Sequence, residues 1–130
     1  MQTIELNKVR KCYDQFVAVN DLSFSIEQGG VFGLLGPNGA GKTSTIRMMI
    51  GITAPDSGQI NLFGKPFERK SLRRVGYLPE ERGLYKKMKI LDHLVFLGEL
   101  HGMPAGAARQ GAMEWCKRLE IDAWLQKKVE

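Results

Sequence analysis

The sequence predicts an α/β fold in three parts: a core built on a phosphate-binding loop, an antiparallel β-subdomain, and the start of a helical subdomain. Three observations predict it. The apolar run Val31-Phe32-Gly33-Leu34-Leu35 leads into the glycine-rich stretch Gly36-Pro37-Asn38-Gly39-Ala40-Gly41-Lys42-Thr43, and residues 42–50 follow without Gly or Pro. Alternating apolar residues mark strands on both sides of that unit. After Ile90 the apolar spacing changes to that of helices.

The glycine-rich stretch fits G-x-x-x-x-G-K-[ST], the nucleoside-triphosphate phosphate loop, so the core is expected to be a P-loop NTPase core. The chemistry needs those residue types at that spacing. Three glycines let the backbone wrap closely around an anion and take up positive φ. Successive backbone N–H groups then form an anion nest. The helix that follows turns its first N–H groups and the positive end of its dipole toward the phosphates. Lys42 supplies a cation for the β- and γ-phosphates, Thr43 a hydroxyl for Mg²⁺, and Ser44 stands beside them. Residues 31–35 read as a short buried strand. Ile46, Met49 and Ile50 fall at helical spacing, and Gly51 stops the helix.

The other elements follow in order. Residues 3–9 alternate with Ile4, Leu6 and Val9 on one face, and residues 21–26 with Leu22, Phe24 and Ile26 inward. Gln28-Gly29-Gly30 is a turn. Ala54-Pro55-Asp56-Ser57-Gly58 is a second, and residues 59–63 follow it as a strand ended by Gly64. Residues 74–78 read as another short strand, stopped by Pro79. Ile90, Leu91, Leu94, Val95, Leu97 and Leu100 form a wide helical face that Gly102 and Pro104 break. Ala105, Ala108, Ala112, Trp115, Cys116 and Leu119 fit a second amphipathic helix. Trp115 and Trp124 are expected to pack rather than to stack on a ligand, and His93 and His101 to be surface or packing residues.

The 130 residues leave room for one domain, expected to divide into a core with its β-subdomain at 1–89 and a helical subdomain from 90 to 130. The apolar fraction of 43% and charged fraction of 25% are ordinary for a globular domain. Residues 90–100 are too short and too polar to span a bilayer. No export signal follows Met1. Cys12 and Cys116 show no metal spacing and are expected as free thiols. The net charge of +5 is uneven: residues 69–89 carry eight basic and two acidic side chains. Such a region is compatible with nucleic acid, anionic lipid or an acidic partner, but lacks the aromatic interleaving of a single-strand binder, and a solvated face is the plain reading.

Taken together, these stretches resemble the ATP-binding subunit of ABC transporters. GPNGAGKT with Ser44-Thr45, the strand Asn20-Asp21-Leu22-Ser23-Phe24-Ser25-Ile26 before Gly29-Gly30, the turn and strand Ala54-Pro55-Asp56-Ser57-Gly58-Gln59-Ile60, and Val75-Gly76-Tyr77-Leu78-Pro79 occur in the family's order. The resemblance covers essentially the whole chain. It implies ATP and Mg²⁺ as cofactors. It matches Tyr13 to the family's adenine-stacking aromatic, whose flat π-face favours affinity over base selectivity. It places Glu80 where the family carries the Q-loop glutamine. A carboxylate there still ligates Mg²⁺ through oxygen but adds charge near the γ-phosphate. Residues 79–85 are similar to a bacterial exporter-type branch that includes sodium and drug efflux ATPases.

The resemblance also implies partners: a transmembrane permease subunit and a second ATP-binding subunit, at the cytoplasmic face of the cell membrane, with nucleic acid not expected. A non-transport member of the family acting on DNA or ribosomes is the alternative. The family's signature motif, its run of four apolar residues before Asp-Glu, and its switch histidine are not found among these residues. The chain is therefore expected to be the N-terminal part of a longer ATPase subunit, an incomplete domain that binds Mg-ATP with negligible hydrolysis.

Overall fold

A computed structural model describes residues 1–80 and 83–130. Glu81 and Arg82, part of the basic region and of the exporter-like segment, lie outside the described residues. The chain divides into two compact units, Met1–Tyr77 and Leu78–Glu130.

The first unit is a four-stranded antiparallel sheet with one helix on it. Strands β1 (Gln2–Tyr13), β2 (Phe16–Glu27), β3 (Ser57–Leu62) and β4 (Lys65–Pro66) take the order β2-β1-β3-β4. The β1–β2 hairpin turns at Asp14, whose φ is 51°. Alternation puts Leu22, Phe24 and Ile26 on the half-buried face of β2. On β1, Leu6 and Val9 are both buried although three positions apart. A bulge resolves the parity: Lys8 sits at φ 47° and the register slips between Leu6 and Val9. The bulge leaves the Lys8 amide free to donate to Ser23 Oγ at 2.8 Å. Gly58 then crosses over it at φ 84°, where an added Cβ would lie 2.5 Å from the Lys8 carbonyl carbon and 2.6 Å from Val9 Cα.

Helix α1 (Lys42–Met49) closes the core. Its innermost residues are Thr45 and Met48, while Ile46, Met49 and Ile50 are half-buried. Met48, 1% exposed, packs with Leu6, Val9, Val19, Ile60 and Leu62. Each such burial contributes roughly 1.5–3 kcal/mol. The helix ends at Gly51, φ 71°, where the amide of Ile52 returns to the Arg47 carbonyl at 2.9 Å.

Two expected strands do not form. Residues 31–35 are irregular, with Val31 and Leu35 almost fully exposed and Phe32 held by stacking on Phe24 at 4.9 Å. Arg74 belongs instead to a 3-10 helix, Arg69–Arg74, and residues 75–79 are irregular, with Tyr77 and Leu78 exposed. The physical reason is common to both. A strand's N–H and C=O groups need a neighbouring strand, and among the described residues none pairs with either segment.

The second unit pairs helix α2 (Ile90–Leu100) with helix α3 (Ala105–Arg118). They approach through small residues: a Cβ on Gly98 would meet the Ala108 Cβ at 2.8 Å. The first amides of α2 are satisfied from the far end of the unit, Ile90 donating to Lys127 O and Leu91 to Leu125 O. The expected packing of tryptophan is corrected here. Ala108 and Cys116 are the buried residues of α3, whereas Trp115 and Leu119 are more than 60% exposed and Trp124 is half exposed. The buried stripe is narrower than the apolar pattern. His93 is buried against the edge of Tyr85, and neither ring nitrogen has a hydrogen-bond partner among the described residues. His101 ends α2 exposed, its Nδ1 2.9 Å from Leu97 O. Both cysteines are free thiols. Among the described residues no helix is long and apolar enough to cross a membrane.

Candidate functional site

The glycine-rich loop and the first turn of α1 enclose a concavity of about 200 Å³, lined by Phe16, Ala18 and residues 37–44. Two residues bend the loop into it: Gly39 at φ 83° and Gly41 at φ 91°. Gly41 is required for a second reason. A Cβ there would run into the Ala18 carbonyl oxygen and lie 3.3 Å from Val19 Cγ2. The loop therefore rides directly on strand β2, and only glycine allows the approach.

The helix start is pinned from inside. Thr45, 2% exposed, donates its amide to Gly41 O at 2.9 Å and its hydroxyl to the same oxygen at 2.8 Å. The amides of Lys42, Thr43 and Ser44 precede that first intrahelical bond, so they have no helix carbonyl to pair with. They belong to residues that line the concavity, where the positive end of the helix dipole also points. Among the described residues the lining holds one charged side chain, Lys42, and no carboxylate. Its ammonium folds back to donate to Gly36 O and, at 3.1 Å, to Pro37 O. Thr43 is exposed. One cation, a helix start and no acidic neighbour fit a polyphosphate.

Of the remaining site candidates, Tyr13 ends β1 about two-fifths exposed, with Lys11 Nζ 5.5 Å from its ring centroid. It is not among the lining residues; Phe16, its partner across the hairpin, is. Asp56 fixes this end of β1: it accepts the Cys12 amide at 2.6 Å and Lys11 Nζ at 3.3 Å, and Lys11 also donates to Ala54 O at 2.9 Å. The Cys12 amide first, and then Lys11, hold the Asp56 carboxyl below its ordinary range. Glu80 is exposed and lies in the other unit from the loop. Phe16 and Ala18 were not read from sequence as lining residues. A hairpin turn at Asp14-Gln15 brings Phe16 opposite Tyr13, but nothing in the residue pattern shows that β2 runs beneath the loop.

A glycine-rich loop seated on β2 and opening into a helix with Lys-Thr at its start defines a phosphate-binding P-loop domain. The sequence profile of the ABC transporter family matches residues 19–130, and the chain belongs to that family. It is 42% identical over 127 residues to an uncharacterized ABC transporter ATP-binding protein, YhaQ of Bacillus subtilis, covering 98% of this chain and 43% of that protein. It is 44% identical over 109 residues to the Nod factor export ATP-binding protein I of Paraburkholderia xenovorans, covering 82% and 36%. The chain thus spans less than half the length of these curated relatives. Among solved structures, cbiO1 from Clostridium perfringens, described as part of the ABC transporter complex cbiONQ, superposes with a TM-score of 0.81 at 22% identity, over 98% of this chain and 54% of that one. A nucleotide-free ATP-binding cassette gives the same TM-score at 21% identity, over 99% and 58%. At those identities the likeness shows the fold.

Proposed function

We propose that these residues form the nucleotide-holding part of an ATP-binding subunit that couples ATP binding and hydrolysis to transport across a membrane. The observation that carries the reading is the Lys42 concavity, cationic and free of carboxylates, at the start of α1. The loop holds the β- and γ-phosphates. Lys42 exchanges the Gly36 and Pro37 carbonyls for phosphate oxygens, a stronger, charge-assisted bond. Tyr13 offers its ring to the adenine, and Phe16 covers the edge of the same site.

Mg²⁺ would supply charge neutralisation at the β- and γ-phosphates. Thr43 Oγ1, exposed at the start of α1, is the oxygen we propose would hold it. In the full-length subunit the proposed partners are a transmembrane permease and a second ATP-binding subunit, at the cytoplasmic face of the membrane. The sequence carries neither the family's general base nor its opposing signature motif, so turnover by these 130 residues alone is expected to be negligible.

Calorimetric titration of Mg-ATP into the chain, beside Lys42→Ala, tests this. Saturable binding that is lost in the variant is the expected result. Absence of binding by a sample with native circular dichroism would overturn it. Lys42-dependent turnover at rates of an intact ATPase would overturn the claim of negligible hydrolysis.

A further inference from the structure

The structure separates the basic region that composition alone left as one block. Arg69, Lys70, Arg73 and Arg74 fall in the first unit on the 3-10 helix, while Lys86, Lys87 and Lys89 belong to the second. The first group is built as a face. Phe67 and Leu72 turn inward and pack against the core cluster. Lys65, Arg69, Lys70, Arg73 and Arg74 are all exposed. Residues 65–74 hold a single carboxylate, Glu68, and it pairs with Lys70 at 2.6 Å. That pairing lowers the Glu68 carboxyl and raises Lys70 from their ordinary ranges. Arg74 Cζ lies over the Phe63 ring, 3.9 Å from its centroid, a cation–π contact that favours one place for the guanidinium. Lys65, Arg69 and Arg73 have no ion-pair partner among the described residues.

We propose that this face docks on an anionic phospholipid surface. Its character selects the partner. A specific protein interface needs apolar or aromatic anchors at its centre, and here the apolar residues of the segment are committed to the core. What is left outward is clustered positive charge whose single carboxylate, Glu68, is taken by Lys70. A membrane leaflet is an extended negative surface that such a cluster recognises without shape complementarity. The face involves none of the residues lining the phosphate concavity, so its binding stands apart from the nucleotide reading.

Cosedimentation of the chain with lipid vesicles, without nucleotide, tests the proposal. Binding is expected to vesicles of phosphatidylcholine mixed with phosphatidylserine, not to phosphatidylcholine alone, and to weaken with salt. The combined variant Lys65→Gln, Arg69→Gln, Arg73→Gln keeps the Glu68–Lys70 pair and the Arg74–Phe63 stack. It is expected to reduce partitioning about a hundredfold with unchanged circular dichroism. The combined Lys86→Gln, Lys87→Gln, Lys89→Gln variant is expected to bind as the parent does. Equal binding to neutral vesicles, loss in the second variant but not the first, or preference for duplex DNA over anionic vesicles in competition would each overturn the proposal.

Discussion

Strand β1 and residues 31–35 are both rich in apolar side chains, yet one is the centre of the first unit and the other lies open to solvent. β1 has a partner on each side, β2 and β3, and its Leu6 and Val9 are sealed beneath α1. Residues 31–35 pair with no strand among the described residues, and Val31 and Leu35 touch water over nearly all their surface. Apolar content alone therefore does not make a strand. Backbone donors and acceptors must find partners before the side chains can be buried. The contrast also shows what carries the phosphate loop. The loop is braced from below by β2, through Gly41 on Ala18, and from the helix side by Thr45. The ordered half of the first unit therefore suffices to shape the concavity.

The comparison breaks most sharply at Leu6. It is 2% exposed and at the centre of the cluster. Leu6→Ala is expected to cost about 2–5 kcal/mol, through lost transfer energy and the cavity left behind. Urea unfolding followed by circular dichroism would measure it. A cost below about 1 kcal/mol would mean that β1 is not the centre of this core. Gly58→Ala comes next. The new methyl meets the Lys8 carbonyl and Val9 Cα at a positive φ, and a loss of about 1–3 kcal/mol is expected in the same assay. A neutral result would show that the β1 bulge can move away.

The alternation of Ile4 and Leu6, and of Leu22, Phe24 and Ile26, made two strands legible, and the G-x-x-x-x-G-K-T spacing made the loop legible. Both are local signals: side-chain parity and a fixed motif. The bulges were not legible, because Lys8 and Asp21 are non-glycine residues at φ 47° and carry no mark of it. The inner face of α3 was legible in part: the apolar stripe included Ala108 and Cys116, which are buried, and also Trp115 and Leu119, which are exposed. Phe16 at the phosphate concavity was missed because its role depends on which strand passes beneath the loop, a tertiary fact. The fate of residues 31–35 depends in the same way on neighbours rather than on the run itself.

Asp56 sharpens the comparison at the edge of the ordered half, since it ties the Tyr13 end of β1 to the turn after α1. Its carboxyl lies below the ordinary range of about 3.9 because the Cys12 amide and Lys11 favour the charged form. A depressed carboxyl contributes stability that is present above the unfolded value and is lost as pH falls through the folded one. Asp56→Asn is therefore expected to be less stable than the parent at neutral pH. The gap should begin to shrink as pH falls below the unfolded value of about 3.9 and close as the parent's carboxylate is protonated at its lower folded value. Parallel denaturation curves at neutral and acid pH would show it. A gap that stays constant with pH would mean that the charge of Asp56 does not contribute.

The smallest effect is expected where the run is open. Val31→Ser removes an apolar side chain that buries nothing, so stability should change by no more than about 0.5 kcal/mol. Phe32→Ala, by contrast, loses the 4.9 Å stack on Phe24, and about 0.5–1.5 kcal/mol beyond area burial is expected from such a pair. Measured together against Leu6→Ala, the two variants separate burial from composition within one unit. If Val31→Ser cost as much as Phe32→Ala, residues 31–35 would have to be packed in solution, and the contrast with β1 would fail. If both are nearly silent while Leu6→Ala is severe, the paired strands and α1 hold the unit together, and the run leading into the phosphate loop contributes almost nothing to its stability.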